Sequence, residues 1–441
     1  MRGIKHLLLY GLLVFLVPNM MIGQQNQPMN TKLSLDQILD YALENSPMIQ
    51  QSLLDEEIGE HQIKSNLSGW LPQVSADFGA SHNIKRQTQV IGDQPITFGQ
   101  NYNSNLLFQV NQNLFSRDQF FASKTKGLVR SDLDQNTEGN KVNTVVMVSK
   151  AYYDILLTFE QLDILDENLG RLQKQYQDAK SRYESGLVDK TDYQRAGISL
   201  SNLKSDRNRV ATSLDAKFAY LKQLMGFPTQ NNLELDYEYA AMEAETEMDT
   251  TEQLMVENRI EYQQMETQVS LFGIQTRYEK WSFIPEVSAY YNYNLLFFNN
   301  EFSDLYSKNY PTSVVGLSVG IPIFQGGKRT QKIKIAELQE ERIQLDKTNL
   351  KNQINTEYEA AMADYKSNLY EWKAVKENME LAEEVYNIIK LQYDEGIKAY
   401  VDLIVAETEL RTSQLNHYNA LYMVLASKLD LKKALGNIEI N

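Results

Sequence analysis

Val148, Tyr152, Ile155, Phe159, Leu162, Leu165, Leu169, Leu172, Tyr176, Ala179 and Tyr183 form an apolar ladder whose reading decides the fold of this chain. A second ladder, Tyr358, Met362, Tyr365, Leu369, Trp372, Val375, Met379, Ala382, Tyr386, Ile389 and Tyr393, follows 210 positions later. Steps of three and four residues alternate as a coiled-coil seam requires, with one extra three-residue step, Leu162 to Leu165 and Trp372 to Val375. Three residues beyond each ladder stands a Gly (Gly186, Gly396), and six further an Asp (Asp192, Asp402). Runs that share a break in step and the residues beyond it are copies of one long helical hairpin.

The duplication extends outward. Pro72-Gln73-Val74-Ser75-Ala76 matches Pro285-Glu286-Val287-Ser288-Ala289, and Leu224 with Gly226 matches Ala434 with Gly436. Between each Pro and Leu114-Phe115 or Ile323-Phe324 the period changes to two. Val74, Ala76, Phe78 and Ala80 alternate with polar Ser75, Asp77 and Ser81, and Val315, Leu317, Val319, Ile321 and Ile323 alternate with Gly316, Ser318 and Gly320. With Tyr102 to Leu114 and Val287 to Phe297 these make four strands in two hairpins, each long enough for a tilted membrane strand. The remaining runs predict helices near Leu35–Gly69, Arg117–Tyr183, Thr191–Met225, Thr251–Phe283, Gly327–Tyr393 and Val401–Leu435.

Composition restricts the setting. Residues 1–23, with Arg2, Lys5 and an apolar run from Leu7 to Val17, read as an export signal too short to span a bilayer. Residues 24–228 form the first repeat, 229–250 an acidic connector, and 251–441 the second repeat; the hairpins fall at about 73–116 and 286–324 and the far turns at 184–190 and 394–400. The chain has no Cys, which excludes disulfides, Cys-ligated metal and an N-terminal lipidated Cys. A formal net charge of −15 disfavours nucleic acid as partner. Four strands cannot close a membrane barrel, and open edges in lipid leave backbone groups unpaired. A chain of this kind in a membrane must complete its barrel with copies of itself. An exported coiled-coil scaffold or adhesin with a soluble β cap shares the same pattern.

The plan of helix, hairpin, long helix, turn and helix, given twice, resembles the TolC-like outer-membrane factor family, the exit ducts of tripartite efflux pumps and type I secretion systems. The turns carry the closest likeness: Tyr183-Glu-Ser-Gly186-Leu187-Val188 with Thr191-Asp192, and Tyr393-Asp-Glu-Gly396-Ile397 with Val401-Asp402-Leu403 and Ala406-Glu407. Gly320-Ile321-Pro322-Ile323-Phe324-Gln325-Gly326-Gly327 is similar to the family's passage from last strand to helical barrel, while Asn113-Leu114-Phe115-Ser116-Arg117 lacks its Pro and glycines. The resemblance implies a mainly α chain with a transmembrane β part. It implies a homotrimer with a 12-stranded barrel in outer-membrane lipid and an α-barrel crossing the periplasm. A periplasmic adaptor would meet the tips Gly186, Leu187, Val188, Gly396 and Ile397, and an inner-membrane transporter would supply the energy. By the same likeness Asp402 would form a carboxylate ring at the tunnel entrance, and Asp192, Tyr393 and Lys398 would supply links that close it. Val405 stands where a second ring acid is usual, and Lys398 in place of Arg loses the bidentate fork.

No residues assemble a catalytic centre, and no cofactor or metal is expected. His6, His61, His82 and His417 are dispersed, without second ligands at helical spacing. Gly326-Gly327-Lys328-Arg329 invites a nucleotide phosphate-loop reading, but Pro322 stands where the first Gly is required and Arg329 replaces Ser or Thr.

Overall fold

The computed structural model describes residues 32–187, 189–236 and 239–440; the expected export signal and the tip residue Val188 lie outside them. The first copy runs β1 (Lys32–Leu33), α1 (Leu35–Asn45), α2 (Pro47–Leu67), β2 (Gln73–His82), β3 (Thr88–Ile91), β4 (Gln94–Thr97), β5 (Tyr102–Phe115), α3 (Arg117–Glu184) and α4 (Lys190–Met225). The join holds β6 (Glu234–Leu235) and α5 (Tyr239–Ala244). The second copy runs α6 (Ile260–Lys280), β7 (Glu286–Asn299), β8 (Tyr310–Gly320), α7 (Lys328–Asp394) and α8 (Tyr400–Leu435). At 68 and 67 residues, α3 and α7 each extend about 100 Å at 1.5 Å per residue.

Several elements depart from the expectation. The run near Leu35–Gly69 is two helices rather than one, because Ser46 leaves the helical region (φ −57°, ψ 126°) and Pro47 opens the next helix, where its missing N–H costs nothing. The run near Thr251–Phe283 becomes α-helical only at Ile260, after a single 3-10 turn at Val256–Asn258. Arg259 before it is extended and buried, donating to the Ala434 carbonyl at 3.0 Å and pairing with Glu261 at 3.0 Å and Glu357 at 3.1 Å. A small hairpin, β3 with β4, lengthens the loop between β2 and β5. The acidic join is ordered in part: β6 pairs in parallel with β1 through Leu33 and Leu235, and Met242 of α5 is buried. Tyrosines from both ladders bond to it, Tyr152 to the Asp236 carbonyl at 2.8 Å and Tyr365 to the Thr246 carbonyl at 2.9 Å.

The four long strands make one antiparallel sheet in the order β2-β5-β7-β8. Its register puts Val74, Val110, Tyr291 and Val315 in one row across all four strands, and Phe78, Leu106, Leu295 and Pro311 in another. The opposite face carries rows such as Ser75, Gln109, Asn292 and Val314, so one side is apolar and the other mainly polar, as period two dictates. The apolar side is uncovered: Val74 is 72% exposed, Phe78 66% and Val315 79%.

Below the sheet the ladders turn inward. Val148, Ile155, Leu165 and Leu172 are buried in the first copy, Met362, Tyr365, Trp372 and Tyr386 in the second. The largest apolar cluster joins α1, α3, α4, α7 and α8 with the join between repeats, and two smaller clusters follow the hairpins toward the tips. Both return helices end on a left-handed Gly, Gly226 (φ 70°) and Gly436 (φ 78°). A Cβ on Gly226 would meet the Asn45 carbonyl oxygen at 2.2 Å, whereas one on Gly436 would meet the Asn258 carbonyl at 3.3 Å. Both Ala substitutions incur the left-handed penalty of roughly 1–2 kcal/mol. Gly226→Ala should therefore lower the thermal unfolding midpoint clearly more than Gly436→Ala; equal losses would mean that the Asn45 backbone shifts freely.

Candidate functional site

The far tips are built alike. At the first, the Gly186 N–H donates to the Tyr183 carbonyl at 2.9 Å and the Leu187 N–H to the Arg182 carbonyl at 2.8 Å. At the second, Gly396 donates to Tyr393 at 2.9 Å and Ile397 to Gln392 at 2.8 Å. These bonds satisfy carbonyls that a helix end leaves open, and they require a left-handed residue, which Gly186 (φ 72°) and Gly396 (φ 75°) provide. No heavy atom approaches the space a Cβ would fill at either Gly, and Leu187 and Ile397 are 76% and 73% exposed. Two bare glycine backbones and two exposed apolar side chains thus end the long hairpins.

Asp192 and Tyr393, from different repeats, are brought together. Burial raises the Tyr393 hydroxyl pKa, Arg182 opposes the shift, and Asp192 adds to it. The Arg182 guanidinium lies 5.6 Å from the Tyr393 ring centroid, and the Tyr400 ring 5.8 Å from it. Lys398 is not part of this contact: its side chain is exposed and makes no ion pair among the described residues. Asp402 is half-buried in the first turn of α8, where one carboxylate oxygen accepts the Ala399 N–H at 3.2 Å and caps the helix.

A charged group that the sequence reading passed over lies above the tip. Glu407 on α8 is 2% exposed, and neither carboxylate oxygen accepts a hydrogen bond. Arg171 of α3 stands 3.7 Å away, beyond hydrogen-bond reach, and also 3.6 Å from Glu167. The buried Tyr386 and Tyr400 hydroxyls and the Gln175 carbonyl oxygen are likewise without partners. Burial pushes the Glu407 carboxyl above its ordinary range against the pull of Gln175, Arg171 and Arg411. A second buried group ties the join to the hairpins: His417 Nε2 is 2.8 Å from the Tyr239 hydroxyl and 3.5 Å from Glu243, which Lys376 holds at 2.9 Å. Burial holds the His417 pKa below its usual value. A seam pattern registers apolar positions, so a carboxylate at a buried one gives no signal; only the matching turn motif contained Glu407.

Two helical hairpins of this length below a sheet with one apolar and one polar face define a chain of mixed α and β type whose sheet suits a membrane. Residues 38–227 and 252–437 match the outer membrane efflux protein family, and the chain belongs to it. It is 20% identical over 415 residues to the outer membrane protein TolC of Vibrio cholerae serotype O1, covering 92% of this chain and 91% of that one. With the proteases secretion protein PrtF of Dickeya chrysanthemi it shares 19% over 404 residues, 90% of this chain and 87% of PrtF. The fold matches the Campylobacter jejuni CmeC outer membrane channel with a TM-score of 0.75 at 15% identity, over 91% of this chain and 85% of that one. It matches the Vibrio cholerae outer membrane protein VceC with a TM-score of 0.72 at 15% identity, over 91% and 96%.

The raised Glu407 pKa means that the folded chain binds a proton more readily than the unfolded chain. Its contribution to stability therefore increases as pH falls through the folded pKa and levels off below the unfolded value. His417 acts oppositely: with its folded pKa lowered, stability present above the unfolded value is lost as pH falls. The informative quantity is the difference between wild type and Glu407→Gln. The variant should be more stable near neutral pH, by about 1.4 kcal/mol for each unit of the shift, and the gap should close on acidification. A pH-independent gap in thermal unfolding would show that Glu407 is not the titrating group.

Proposed function

We propose that three copies of this outer-membrane efflux protein close into a passive exit duct that crosses the outer membrane and the periplasm. A single observation carries the reading: the four-stranded sheet has two unpaired edges, β2 and β8, and an uncovered apolar face. In lipid each unpaired backbone group costs several kcal/mol, so the edges must meet those of other copies, and three times four strands gives a 12-stranded barrel. The apolar rows then face outer-membrane lipid and the Asn, Gln and Ser rows line water. α7 supports the same assembly. Its first seam is buried within the chain, but Leu381, Val385 and Ile388 form a second stripe, 53%, 47% and 55% exposed, suited to a neighbouring copy.

In this reading residues 24–228 and 251–441 are two pseudo-equivalent staves of the tube, joined by 229–250, and residues 1–23 direct export. The bare tips at Gly186, Leu187, Gly396 and Ile397, with Val188 beside them, accept a periplasmic adaptor that couples the duct to an inner-membrane transporter. Proteins named as an outer membrane channel and for protease secretion alike match this chain, which supports one duct shape used with different upstream partners. In this reading the chain contributes conduction; the described residues contain no group of His, Asp or Glu placed to hold a metal.

The narrow end of the duct is the level of Asp402. One of its oxygens caps α8, and three such carboxylates around an axis would attract cations and repel anions. Asp192 and Tyr393 stand near each other from the two hairpins of one copy at that level, and Lys398 is free to reach an adjacent copy. Reconstituted into planar bilayers, the wild type should give stepwise, cation-selective conductance, and a protein that stays monodisperse without detergent and never conducts would contradict the duct. Asp402→Ala should weaken block by divalent cations about tenfold or more; unchanged block would remove Asp402 from the constriction.

A further inference from the structure

The junction where β8 passes into α7 holds a cavity of about 500 Å³ that the duct does not use. Its wall contains Arg329, 6% exposed, whose Nε donates to Gln325 at 3.2 Å and whose Nη1 donates to the Pro322 carbonyl at 2.8 Å. The third nitrogen, Nη2, is buried without a partner, and so is the Ser282 hydroxyl in the same wall. Two orphaned donors in one cavity point to an acceptor, since a buried guanidinium N–H left unpaired costs more than a neutral one.

The surroundings select the acceptor's charge. α7 begins in the cavity wall after Gly326 and Gly327, both at positive φ; the Lys328 N–H donates to the Gln325 carbonyl at 3.1 Å, but no side chain caps the helix, which leaves the amides of Arg329 and Thr330 at the positive end of the helix dipole. Lys328 and Lys332 line the same cavity and form no ion pair among the described residues. An anion with several acceptor oxygens fits this set, as at other helix N-termini. A carboxylate also lines it: Glu286, the first residue of β7, is exposed and has no ion-pair partner among the described residues. Glu279, also in the wall, is 3.9 Å from Arg117, whose guanidinium is held over the Tyr278 ring at 3.8 Å. Free cations beside a free carboxylate describe a zwitterion, a phosphate ester that carries an amine.

We propose that this cavity seats the phosphoethanolamine headgroup of a phospholipid, with phosphate on Arg329 Nη2, Ser282 and the α7 N-terminus and the ammonium on Glu286. Location decides the source. Glu286 and Gly320 are the helix-side ends of β7 and β8, and with the sheet in the membrane this is the headgroup level of the periplasmic leaflet; the proposal rests on that reading. Trp281 stacks on Phe120 at 4.7 Å beside the cavity, and an aromatic layer suits the same depth. The site gives a role to a Gly-Gly-Lys-Arg run that stands at a helix start without the spacing for a nucleotide: it reads a single phosphate. A headgroup held there would fix the angle at which strand passes into helix.

Native mass spectrometry of the full chain, released from detergent with equal amounts of phosphatidylethanolamine, phosphatidylglycerol and phosphatidylcholine, tests it. Arg329 also anchors the Pro322 carbonyl, so the variants are Lys328→Gln with Lys332→Gln, and separately Glu286→Gln. Phosphatidylethanolamine should be retained about tenfold over the others by wild type. The lysine pair should lose all three lipids, and Glu286→Gln should lose only the preference for the amine. Retention without headgroup preference, or variants indistinguishable from wild type, would overturn the site. Soluble glycerophosphoethanolamine and inorganic phosphate form the control arms: binding of either as tight as the lipid would overturn the lipid source. Flotation with vesicles separates this from the duct itself. Variants and wild type that all float without preference refute the cavity alone, whereas a wild type that does not float refutes the membrane reading and the lipid proposal with it.

Discussion

The row of backbone N–H and C=O groups along the free edges of β2 and β8 constrains everything else in this molecule. A four-stranded sheet with an apolar face can sit in lipid only if those groups find partners, and the described residues of the chain offer none. Assembly is therefore a condition of the fold's stability in a membrane. The long helices inherit the arrangement: α3 and α7 leave the bases of β5 and β8, and their course below the membrane follows from where a closed barrel would place those strand ends.

Within one chain, the two hairpins are held by apolar ladders whose extra three-residue step occurs at the same height in both copies. A regular heptad seam imposes one supercoil, and a three-residue shift overwinds it locally. Beyond that step the buried set changes character. Toward the sheet, Ile155, Leu156 and Leu421 make a dense apolar belt with the join between repeats, while toward the tips the Glu407 carboxylate, Arg171 Nε and the Tyr386 and Tyr400 hydroxyls are buried without hydrogen-bond partners. The belt has polar atoms of its own, with Trp372 Nε1 and His417 Nδ1 buried without partners, but it holds the larger share of apolar burial, and a region with fewer buried apolar contacts opens more readily. The middle and the tip end of the hairpins thus differ in the side chains they bury.

The duplicated plan was legible because it depends on period alone. Long helices and ten-residue strands repeat their signal many times, and Gly186 and Gly396 mark turns that only a left-handed residue can make. Short or singular features gave no such repetition. β3 and β4, four residues each, fall below any period, and the pairing of Leu33 with Leu235 joins segments two hundred residues apart. Pro47 could have announced the break between α1 and α2, since the residue before it is biased away from helix. At the site, sequence matching named Asp192, Tyr393 and Asp402 as gate candidates, yet could not show that Asp402 spends one oxygen on its own helix end. Nor could it single out Glu407 or Arg329, because burial of a charge is decided by neighbours from other elements.

The edges of the sheet offer the most direct test. The chain has no Cys, so one introduced at Ala76 in β2 and one at Leu317 in β8 are the only thiols present. Both lie on the apolar face, each three positions from the helix-side end of its strand. Neither residue can reach the other within a chain, because β5 and β7 stand between them. Mild oxidation of the double variant in outer membranes should yield a covalent species of three chains as the end product, with no larger ladder. Monomers alone, or an open series that continues past three chains, would contradict a closed barrel built from three sheets.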